Sequence, residues 1–187
     1  MKKIFGDVNS RMLCRAVGTL LVAVSLTGCA GAGVMVNRDS SFQVKVVLER
    51  ATPYLRVGDD VVVNVQADRP SYLQVFYLGR SGAINRIFPD NVQRDSRVAA
   101  GAISRIPPAG APYRLTLTPP PGIETVMAVA TLEPLELVPA DRLNYSGVLP
   151  KVDMSREKFE RTLRSSLDRL SASAWSVDTY TFTYDGR

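Results

Sequence analysis

Tyr72-Leu73-Gln74-Val75-Phe76-Tyr77-Leu78 is a run of apolar and aromatic residues interrupted only by Gln74. A strand with one wet face alternates polar and apolar residues, so a near-continuous run of this length predicts a central strand covered on both faces. Gly79-Arg80-Ser81-Gly82 then turns the chain into Ala83–Phe88, and Pro89-Asp90-Asn91 stops it. Outward from this centre the period is two. Phe42, Val44, Val46 and Leu48 alternate with Gln43, Lys45 and Glu49; after the turn Val57-Gly58-Asp59-Asp60, Val61, Val63 and Val65 alternate with Asn64 and Gln66. Shorter strands are expected at 102–106, 113–117 and 124–131. All 12 prolines fall between Pro53 and Pro150, with clusters at Pro107-Pro108 and Pro119-Pro120-Pro121 that fix connections and guard edges. Short strands with turn signals at this spacing predict a mainly β chain, a β-sandwich of immunoglobulin or transthyretin type.

The pattern changes near the end. Phe159, Leu163, Leu167, Leu170 and Ala174 recur at helical spacing, which predicts an amphipathic helix over 155–173 capped by Ser155 or Asp153. Acidic residues interrupt its basic face, which favours packing on the sandwich over lying on a membrane. Residues 175–184 alternate again, with Tyr180, Phe182 and Tyr184 on one side, and predict a closing strand.

The first residues read as an address. Lys2, Lys3, Arg11 and Arg15 precede an apolar stretch, Ala16–Leu26, that is too short for the ~20 residues needed to cross a bilayer but fits the apolar region of a secretory signal. It ends in Leu26-Thr27-Gly28-Cys29, which resembles the lipobox of bacterial lipoproteins. That resemblance implies a signal peptide over 1–28 and a mature chain starting at Cys29. Its thiol would carry diacylglycerol and its amino terminus a further acyl chain such as palmitate. Residue 30 is Ala, which by the lipoprotein sorting rule implies the outer membrane, facing the periplasm. Cys14 would leave with the signal, so no disulfide is expected. Residues 29–41 read as a flexible tether and 42–187 as the β-sandwich domain.

The chain has 187 residues, no histidine, two cysteines and a net charge of +5. Without 1–28, 19 basic and 17 acidic residues remain, with no run of Lys or Arg, so nucleic acid is not an expected partner. Without histidine or a free thiol, a serine nucleophile would need a lysine base; Ser155-Arg156-Glu157-Lys158 has that spacing but stands at a helix start, where serine is a cap. Asp59-Asp60 reads as a turn, and Asp90-Asn91 with Asp95 as the one cluster suggestive of calcium. No catalytic residue, cofactor or metal site is therefore expected.

In the middle of the chain, Tyr54-x3-Gly58-Asp59, Ser71–Tyr77, Gly82, Ile87-Phe88-Pro89-Asp90-Asn91, Ile106-Pro107 and Gly122-x-Glu124 before Val126–Ala130 resemble the family known as domain of unknown function 4384, over about residues 45–133. The resemblance implies an exported bacterial protein with a small β-sandwich, and brings no catalytic residues. Structural roles account for the motif residues: positive φ at Gly58, Gly82 and Gly122, and core filling by Tyr72, Phe76 and Phe88. The expectation is a non-enzymatic envelope protein, bound to the membrane through Cys29, whose sandwich is an interaction module for another envelope component. The alternative is a peptidoglycan- or sugar-binding lipoprotein that uses Tyr113, Tyr145 or Trp175 on one surface.

Overall fold

The computed structural model describes residues 35–49 and 54–186. The readings of the signal peptide, Cys14 and the lipidated Cys29 lie outside them. Among the described residues, eleven strands and one α-helix follow in chain order: β1 (Val44–Glu49), β2 (Asp60–Ala67), β3 (Ser71–Leu78), β4 (Ile84–Phe88), β5 (Arg97–Val98), β6 (Ile103–Ile106), β7 (Leu115–Thr116), β8 (Gly122–Thr131), β9 (Leu143–Asn144), β10 (Lys151–Val152), α1 (Arg156–Leu167) and β11 (Trp175–Tyr184). The protein is mainly β, with two antiparallel sheets, as expected of a β-sandwich. One has the order β1-β2-β6, with β7 on β2; the other runs β11-β8-β3-β4-β10-β9, with β5 on β3.

The larger sheet lies between two layers, which explains its composition. Leu73 and Val75 of β3, Val126, Ala128 and Ala130 of β8, and Phe182 and Tyr184 of β11 pack against Val44, Val46, Val61, Val63 and Val65 of the smaller sheet. From the other face, Phe76 and Leu78 of β3 and Met127 and Val129 of β8 meet Phe159, Leu163 and Leu167 of α1. Both faces of β3 and β8 are thus dry, and both strands read as apolar runs. A bulge adjusts β4: Val75 pairs with Phe88 and Phe76 with Arg86, so Ile87 is the extra residue, and Ile87 and Phe88 both enter the inter-sheet core.

Helix α1 packs on the sheet, with Phe159, Leu163 and Leu167 fully buried. The Ser155 hydroxyl accepts from the Lys158 N–H, as the cap reading requires. The helix stops at Leu167, short of the expected Ser173, and a 3-10 turn over Ala172–Ala174 follows. The Ala172 carbonyl accepts from the Asn37 side chain, and the Ser173 carbonyl from the Ser41 N–H and hydroxyl. These contacts also correct the tether expectation over 35–41. Met35 is buried in the helix-side core, and the Asn37 amide also donates to the Trp175 carbonyl. A polar, aperiodic stretch is here fixed by partners more than 130 residues away.

At the seam between the sheets, β1 runs beside β11 without a ladder. Val44 N–H donates to the Ser176 hydroxyl and Val46 N–H to the Asp178 carboxylate, so side chains satisfy the free edge of β1. The chain enters the domain at the start of β11, where Asn37 and Ser41 dock. Tyr184 ends β11 nine residues further on, about 30 Å away at the usual rise of a strand.

Candidate functional site

At that far end the two sheets part around a cleft of about 240 Å³. Its apolar floor is Val61, Ile87, Leu115, Leu117 and Leu149; its polar wall is built from Tyr77, Glu124, Tyr184 and residues 118–120. Each side chain is placed by its strand. Tyr77 is near the end of β3, Glu124 near the start of the adjacent β8, and Phe182 and Tyr184 close β11 on the other flank of β8. Glu124 points to the inter-sheet face because it shares the parity of Val126 and Ala128, which pack in that core.

Glu124 is only 5% exposed. One carboxyl oxygen accepts from the Arg80 N–H at 3.0 Å, the other lies 3.2 Å from the Tyr184 hydroxyl, and Tyr77 also hydrogen-bonds the group. Burial raises its pKa, and these hydrogen bonds oppose but do not cancel that shift. Burial, followed by the neighbouring Glu124 charge, likewise raises the phenol pKa of Tyr77 and Tyr184, so both hydroxyls stay protonated at neutral pH. The Tyr184 hydroxyl lies 2.6 Å from the Thr118 carbonyl and 3.0 Å from that of Pro120. The Arg80 side chain crosses the place a Cβ at residue 122 would fill, and its guanidinium donates to the Pro121 carbonyl; Gly58, Gly82 and Gly122 adopt positive φ as expected. Arg114 lines the mouth and pairs with Asp60 at 3.1 Å, whose pKa is lowered chiefly by the Thr116 hydroxyl.

The residues singled out from sequence take other places. Asp59 accepts from the Arg56 N–H in its turn. Asp90, buried, accepts from the N–H groups of Val92 and Gln93 and from the Tyr113 hydroxyl, while Asp95 accepts from the Arg97 N–H. Loop backbone thus uses the carboxylates of the suggested calcium cluster. Among the described residues no three His, Cys, Asp or Glu side chains converge.

The three aromatics of the sugar-binding alternative do not share a surface. Tyr113 packs against the inter-sheet core and Trp175 against the helix-side core, on opposite faces of the larger sheet. Tyr145 is half exposed, with the Arg86 guanidinium 5.6 Å from its ring centre.

Sequence reasoning did not single out Glu124 or Tyr184 as site residues. In the sequence Glu124 is only part of a strand signature, and its partners Arg80 and Tyr184 lie 44 and 60 residues away. Residues 54–134 match the family model described as Domain of unknown function (DUF4384). The match begins after β1, later than the expected start near 45. It contains every residue lining the cleft except Leu149 and Tyr184. No curated protein and no solved structure matches the chain.

Proposed function

We propose that this is a non-enzymatic lipoprotein of the bacterial envelope, anchored through Cys29 in the outer membrane and facing the periplasm, whose sandwich engages another envelope component at the cleft around Glu124. The observation that carries this reading is the placement of the cleft. Residues 35–41 dock at the start of β11, and the cleft opens at its other end, so the described N-terminal segment leaves the cleft uncovered. The cleft chemistry supports it: one carboxyl, two neutral phenols and backbone carbonyls over an apolar floor suit recognition of a projecting group.

The test is photocrosslinking in intact envelopes. A photoreactive residue at Ser81, on the cleft wall, should give a discrete adduct that the same residue at Lys45, on the outer face of the smaller sheet, does not. Equal labelling from both positions, or none from Ser81, would refute the cleft as the binding surface. Cys29→Ser should abolish palmitate labelling and release the protein from the membrane; a labelled, membrane-bound mutant would refute the anchor.

A further inference from the structure

The wall of the cleft carries more hydrogen-bond acceptors than donors. Pro119, Pro120 and Pro121 have no N–H, so this stretch offers the cleft carbonyls without amides. The carbonyls of Thr118 and Pro120 and one oxygen of Glu124 all lie within 3.2 Å of the Tyr184 hydroxyl, which has one hydrogen to give. Even with Tyr77 hydrogen-bonding Glu124, the single Tyr184 hydrogen can serve only one of the two carbonyls. Of the two arginines nearby, Arg114 pairs with Asp60, and the Arg80 guanidinium donates to the Pro121 carbonyl while its charge also acts on Glu124.

We propose that the cleft is a site for a primary ammonium group on a short apolar stem, such as the lysine side chain of a partner. This inference rests on the cleft being the binding surface and names the chemistry it recognises. An ammonium supplies three donors and no acceptor, which suits a wall richer in acceptors than in donors. Its methylene stem suits the floor of Val61, Ile87, Leu115, Leu117 and Leu149. The Glu124 carboxylate then carries the charge complement in a place where water is scarce.

Binding is coupled to protons. Burial favours the neutral carboxyl in the empty cleft, whereas an ammonium favours the carboxylate, so uptake of the cation releases a proton. The groups facing Glu124 are Tyr77 from β3, Arg80 from the β3–β4 turn and Tyr184 from β11, with Arg114 and its partner Asp60 at the mouth. Burial keeps both phenols protonated across the neutral and acid range, which leaves Glu124 as the group that sets the pH dependence.

The experiment titrates n-butylammonium, n-butanol and butyrate into the full-length protein in detergent, followed by the NMR signals of Tyr77 and Tyr184. The ammonium should bind saturably and about tenfold more tightly than the alcohol. Its affinity should fall as pH falls, approaching tenfold per pH unit below the pKa of the free carboxyl. Glu124→Gln should remove both the preference and the pH dependence while its melting temperature shows that the fold is retained. Arg80→Gln, which removes the resident cation, should tighten ammonium binding. Equal binding of the alcohol, preferential binding of butyrate, or weaker ammonium binding in Arg80→Gln would overturn the proposal, as would no binding of any probe. If Ser81 still crosslinks specifically in any of those cases, the cleft reading survives and only the ammonium chemistry falls.

Discussion

Replacing Phe159 by alanine tests the layer that distinguishes this domain from a bare sandwich. Phe159 is fully buried on the first turn of α1 and stands edge-on to Phe76 of β3, with ring centres 4.9 Å apart and planes at 67°. Removing a buried phenylalanine ring in this way costs about 3–5 kcal/mol, including the cavity left behind. Of that, about 0.5–1.5 kcal/mol belongs to the aromatic pair itself. A domain of this size holds about 5–15 kcal/mol in all, and each kcal/mol shifts the midpoint by about 2–4 °C. The variant should therefore melt about 6–20 °C lower, read by near-UV circular dichroism and urea titration. A double-mutant cycle with Phe76→Leu should recover the pair term as non-additivity. An unchanged melting curve, with loss of liposome association instead, would refute the packed helix and return it to the membrane surface.

Three further outcomes follow from particular groups. Burial holds the Glu124 pKa above its unfolded value, so the native state binds this proton more tightly and loses stability as pH rises from the unfolded pKa through the folded one. Glu124→Gln should accordingly melt higher than wild type at pH 8, with the gap closing below about pH 4, near the unfolded carboxylate value; a gap that widens in acid would reverse the sign argument. Tyr113→Phe removes the hydroxyl donor to buried Asp90 and should cost about 1–3 kcal/mol, measured by urea unfolding. The Ser71 hydroxyl is buried without a hydrogen-bond partner, so Ser71→Ala should leave stability unchanged or raise it by about 1 kcal/mol; a clear loss would reveal a bridging water.

The main strands and the helix were legible because burial imposes a period. The alternation at Val44–Leu48, the nearly continuous run at Tyr72–Leu78 and the stripe Phe159–Leu163–Leu167 each report how many dry faces their element has. Strands β5, β9 and β10 have two residues each, too few to show a period, and escaped notice. Leu170 and Ala174 prolong the stripe past the end of α1 at Leu167, while Asn37 and Ser41 take the Ala172 and Ser173 carbonyls of the 3-10 turn that follows. The cleft was the least legible feature. A lone glutamate beside a strand has no spacing signature, and what makes Glu124 unusual is the convergence of Tyr77, Arg80 and Tyr184 on it in space.

The seam between β1 and β11 bears on how the chain reaches its final form. The N–H groups of Val44 and Val46 wait for Ser176 and Asp178, which arrive 132 residues later, and β8 meets one of its two flanking strands only when residues 175–184 appear. A chain that emerges from its N-terminal end cannot complete the domain in instalments. Until the last ten-residue strand is present, β8 offers an open edge with both faces apolar, the kind of surface that recruits other chains. Such sequence-distant pairing slows the conformational search. A message truncated before Trp175 would therefore yield a species that aggregates or is degraded, even though the stretch matched by the family model is intact.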